Sequence, residues 1–102
     1  VNGVDYVLVH GIPESSVETL DRWMYDDMKQ VVVWERIDEH TTLPENKTTI
    51  FGHTPTEYYQ DGDPMRLWHG DKRIGIDCGA AYPDGRLGCL RLDDMEEFYS
   101  RA

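Results

Sequence analysis

Thr48-Thr49-Ile50-Phe51-Gly52-His53-Thr54-Pro55 is the stretch on which the reading of this chain turns. A short β-favouring run ends in Gly-His and then Thr-Pro. Glycine tolerates dihedrals that other residues avoid, so Gly52 predicts a sharp bend at the strand's end. Pro55 biases Thr54 toward extended backbone, so the chain leaves without starting a helix. The side chain presented at that edge is an imidazole. A neutral imidazole on a rigid edge is a good ligand for zinc, manganese or iron.

Partners for His53 are then sought along the rest of the chain. Asp5-Tyr6-Val7-Leu8-Val9-His10-Gly11 repeats the layout, an apolar strand ending in histidine and glycine. Two strand-end histidines converging on one sheet edge would supply two metal ligands. The plainer reading makes each a hydrogen-bonded turn residue. Of the other histidines, His69 falls in an expected hairpin and His40 in a polar loop.

Between the two strands, Val17, Leu20, Trp23, Met24 and Met28 recur at helical spacing. They predict an amphipathic helix of about three turns, capped by Ser15 or Ser16. Val31 to Ile37 admits two readings, an extended run by propensity or the tail of that helix. Asp38 to Lys47 reads as a loop, and so does Thr56 to Pro64, with one turn of helix. Arg66 to Asp77 predicts a hairpin with a Gly70-Asp71 turn. Cys78 to Gly85 is a tight loop. Arg86 to Leu92 and Met95 to Tyr99 are two more strands, joined by a turn at Asp93-Asp94. The elements amount to α+β in these residues, one helix among mostly late strands.

Composition bounds the function. The chain has 102 residues and a formal net charge of -10, which fits one domain or part of one. That charge repels phosphate backbones and anionic lipid, which argues against nucleic-acid and membrane partners. It leaves room for a phosphorylated substrate, because a bound metal reverses the sign locally. Cys78 and Cys89 make no disulfide framework, although a single bridge is open to them; a reducing, cytoplasmic setting is expected. No apolar run approaches the roughly 20 residues of a membrane span.

Taken in order, Leu8-Val9-His10-Gly11-Ile12, Trp34-Glu35-Arg36, Phe51-Gly52-His53-Thr54 and Ile76-Asp77-Cys78-Gly79 resemble the second half of a calcineurin-like metallophosphoesterase. The likeness is to the bacterial phosphoprotein phosphatase group and its diadenosine-tetraphosphatase relatives, and it runs in order over nearly all of residues 1–102. Gly85-Arg86-Leu87 resembles part of that group's ending, and Cys78 stands where threonine is usual.

The resemblance implies an α/β protein, the second half of a sandwich with two mixed sheets and outer helices. It implies a phosphoserine/phosphothreonine protein phosphatase, with dinucleoside tetraphosphate hydrolysis as the alternative. It implies His10 and His53 as ligands of a centre of two divalent metal ions (manganese, iron or zinc). Arg36 would hold the substrate phosphate, a role for which a guanidinium fork is suited. Tyr82 would lie on a loop near the substrate. Gly-Asp-x-His, Gly-Asp-x-x-Asp-Arg-Gly and Gly-Asn-His-Glu, which the family carries in its first half, do not occur here. The expectation is therefore a fragment that is inactive alone and whose partners are its missing N-terminal half and a phosphorylated protein or nucleotide. The reading from another class is a non-catalytic acidic binding or regulatory domain.

Overall fold

The computed structural model describes residues 1–13, 16, 33–61 and 64–100. Four strands make a mixed sheet: β1 Tyr6–Val9, β2 Thr48–Phe51, β3 Trp68–Gly70 and β4 Arg73–Gly75, in the order β1-β2-β4-β3. β1, β2 and β4 run parallel, and β3 is antiparallel to β4. β5 Gly88–Arg91 and β6 Glu96–Tyr99 form a separate antiparallel pair. The expected helix at Val17–Met28 lies outside the described residues. Val33 and Trp34 are helical and Glu35 to Asp38 irregular, so the extended reading does not hold over 33–37, and residues 31–32 lie outside the described residues. The irregular stretch carries Ile37 into the core, where it is buried.

Alternation along β2 explains why the sheet is covered on both faces. Ile50 joins Met65, Leu67, Ile74 and Cys78 on one side, while Phe51 joins Ile12 and Ile37 on the other. Central parallel strands are buried on both faces, and in β2 Thr49, Ile50 and Phe51 are all buried. The β3–β4 hairpin forms as expected, with its two-residue turn at Asp71-Lys72 rather than Gly70-Asp71. Gly70 instead makes room for the Trp68 indole, which a Cβ there would meet at 2.6 Å.

The β5–β6 pair docks on the Ile50 face through Leu90, Leu92 and Tyr99. A polar network fastens it. His69 Nε2 lies 2.9 Å from Glu97 Oε2, and the Tyr99 hydroxyl donates to Glu97 Oε1. The same hydroxyl accepts the Leu67 N–H at 3.0 Å. The Arg86 guanidinium covers the Tyr99 ring at 3.9 Å and donates to the Met65 carbonyl. The hydrogen bond from Tyr99 holds Glu97 below the ordinary carboxylate value, against the effect of burial. No helix among the described residues is long and apolar enough to cross a membrane.

Candidate metal centre

Parallel pairing of β1 with β2 sets Val9 beside Phe51, so both strands end at the same edge. The Gly52 N–H donates to the His10 carbonyl at 3.1 Å and extends the ladder by one step. His10 and His53 therefore leave the sheet side by side. Their ring centroids are 5.0 Å apart, with planes tilted by 47°. Open sheets of parallel strands place ligands at this carboxyl edge.

The bend falls one residue later than Gly52 predicts. Gly52 remains in the ladder, and His53 takes φ 67°. The Thr54 N–H bonds the Gly52 carbonyl at 2.7 Å, which closes a three-residue turn centred on His53. This is the strained variety of γ-turn. Such backbone strain costs about 1–3 kcal/mol and concentrates at functional sites.

His53 Nε2 lies 2.8 Å from the Trp34 carbonyl, and the Trp34 ring meets the imidazole edge-on. A carbonyl only accepts, so Nε2 carries the proton and the lone pair of the neutral ring is on Nδ1. An imidazole whose far N–H is held by a carbonyl is the usual state of a metal-bound histidine. The spacing also fits. Ligand nitrogens sit about 2.1 Å from such an ion and ring centres roughly 1.1 Å beyond, so a tetrahedral angle separates two centroids by about 5 Å. The set is incomplete: no group of three or more His, Cys, Asp and Glu positioned for a metal occurs among the described residues. A catalytic site needs at least three protein ligands. Asp77, beyond the end of β4, caps its own turn by accepting the Gly79 N–H at 2.9 Å.

Arg36 follows Trp34 by two residues and is exposed. It lines a cleft of about 310 Å³ with Asp38, Thr54, Tyr58, Tyr59 and Trp68, so the cleft adjoins His53 through Thr54. Its guanidinium lies 5.5 Å from the Tyr58 ring centroid. An exposed cation–π pair of this kind contributes about 0.5–1 kcal/mol. Burial acts to raise the Asp38 carboxyl, but hydrogen bonds from His40 and Thr41 outweigh it and hold it below the ordinary value. Tyr82 stands exposed on the loop after β4, outside the residues lining the cleft.

Of the residues singled out from sequence, His10 and His53 come together, Arg36 lines a cleft with Thr54, the residue after His53, and Tyr82 does not join them. His40 pairs with Glu39 at the surface and His69 with Glu97. Sequence reasoning missed Tyr58, Asp38 and the Trp34 carbonyl. The Tyr58-Tyr59 doublet was the available signal for the first. A backbone carbonyl has no signature in sequence. No family model, curated protein or solved structure matches the chain.

Proposed function

We propose that these residues belong to a metal-dependent phosphoesterase, the second half of its α/β sandwich of two mixed sheets. The observation that carries this is the pair of strand-end imidazoles, His10 and His53, 5.0 Å apart at the carboxyl edge of adjacent parallel strands. His53 would present Nδ1 to a metal, since Nε2–H is engaged by Trp34. Arg36 would bind the phosphoryl oxygens in the adjoining cleft, where its fork matches two oxygens at once. Two divalent ions (manganese, iron or zinc), when bound, supply Lewis-acid activation of the phosphoryl group and of the attacking water. The remaining ligands would come from outside the described residues.

Phosphoserine and phosphothreonine proteins are the first substrate class and dinucleoside tetraphosphates the second. Two free cysteines, Cys78 and Cys89, suit a reducing cytoplasmic setting. The reading from another class is a non-catalytic acidic domain, to which the formal net charge of -10 points.

Manganese titration followed by NMR separates the two. Paramagnetic broadening should appear first at the His10 and His53 rings and weaken in His53→Ala. The chain alone should not turn over p-nitrophenyl phosphate. Broadening spread over the acidic surface, with both imidazoles untouched, would leave only the non-catalytic domain.

A further inference from the structure

Arg36 and Tyr58 are both exposed, and they rest on each other beside the candidate centre. Tyr59 and Trp68 are occupied otherwise. They stack on one another with centroids 4.3 Å apart, and Phe51 packs edge-on against both. The Tyr58 ring, 65% exposed, is thus an aromatic face that the cleft offers to a ligand. A planar group between Arg36 and Tyr58 needs about 7 Å, two contacts of roughly 3.5 Å, against the 5.5 Å observed. Admitting a ring therefore separates the pair and frees the guanidinium.

We propose that the cleft is a ring-accepting subsite. A small ligand carrying one phosphoryl group and one planar aromatic ring stacks its ring on Tyr58, and Arg36, released from that ring, pairs with the phosphoryl oxygens. The proposal rests on the phosphate reading of Arg36. The exchange replaces an exposed cation–π contact with a base or aryl stack and a charge-assisted fork, both stronger. The cleft's volume, about 310 Å³, lies at the lower end of small-molecule sites and suits a nucleoside or a tyrosyl group. Asp38 and Glu39 also line it. Without metal, their carboxylates oppose further phosphoryl groups, so the metal-free chain prefers a monoester to a polyphosphate. An alkyl phosphoester such as phosphoserine puts nothing on Tyr58. Nucleoside monophosphates and phosphotyrosine share the required chemistry.

Calorimetric titration of the 102-residue chain without metal tests this. The ligands are AMP, phosphotyrosine, phosphoserine, ATP and adenosine. AMP or phosphotyrosine should bind at least about fivefold tighter than phosphoserine, the lower range of a stacked ring. Whichever shows the preference identifies the source. Tyr58→Ala should erase it without unfolding the protein, because Tyr58 is 65% exposed. Equal binding of all three monoesters, a preference that survives Tyr58→Ala, or ATP binding tighter than AMP would overturn the subsite. If Arg36→Ala leaves phosphoserine binding unchanged while adenosine still depends on Tyr58, the phosphate reading falls and the ring platform stands.

Discussion

Acidification should loosen the β5–β6 pair before the rest of the protein, and Glu97 is the group responsible. Its carboxylate accepts from Tyr99 and faces His69, and Arg66 adds a favourable charge. Burial, followed by the Glu97 carboxylate, pushes the Tyr99 phenol up, so the tyrosine remains a donor throughout the acid range. Because Glu97 is held below its ordinary value of 4.5, its contribution is present above that pH. It is lost as pH falls through the depressed folded value.

The His69 contact is 43% and 31% exposed on its two sides and contributes less than about 1 kcal/mol. The Tyr99 bond is half-buried and charge-assisted, which adds roughly 1.5 kcal/mol. A loss of about 2 kcal/mol lowers the Tm of a domain this size by roughly 8–16 °C. Thermal unfolding of the parent and of Glu97→Gln, from pH 7 to 3, isolates the effect. The two curves should be separated at pH 7 and converge toward pH 3. Parallel curves would refute the assignment, because the acid sensitivity would then belong to other carboxylates, such as Asp38 or Asp94.

Two further outcomes follow from backbone geometry. Gly85→Ala places a Cβ 1.6 Å from the Gly79 carbonyl oxygen, which no side-chain movement relieves. It should cost more than about 3 kcal/mol in urea unfolding and break the Gly79–Arg86 bridge. His53→Gly should be more stable than His53→Ala by about 1 kcal/mol, because glycine accepts φ 67° without strain. Equal stabilities in denaturant titration would mean that His53 is not held in that conformation.

The hairpins and the strand-end histidines were legible because their signals are local. Apolar β-branched runs, the Gly-His pairs and the polar turns act over a few residues. At Val33-Trp34 the letters alone leave helix and strand undecided, because β-branched propensity and helical continuation compete there. Sequence places the bend at Gly52, because glycine is the permissive residue, yet a long-range bond to the His10 carbonyl keeps Gly52 in the ladder and moves the strain to His53.

From its own letters the chain set which segments are extended, where imidazoles sit at their ends, and that its surface is strongly acidic. Periodicity and turn chemistry suffice for those. The strand order, which lays β2 between β1 and β4 and so brings His10 against His53, came only with the fold. So did the Arg36–Tyr58 cleft and the Glu97 network. Each depends on which distant surfaces pack together, and that choice is made by the whole core at once, not by neighbours along the chain.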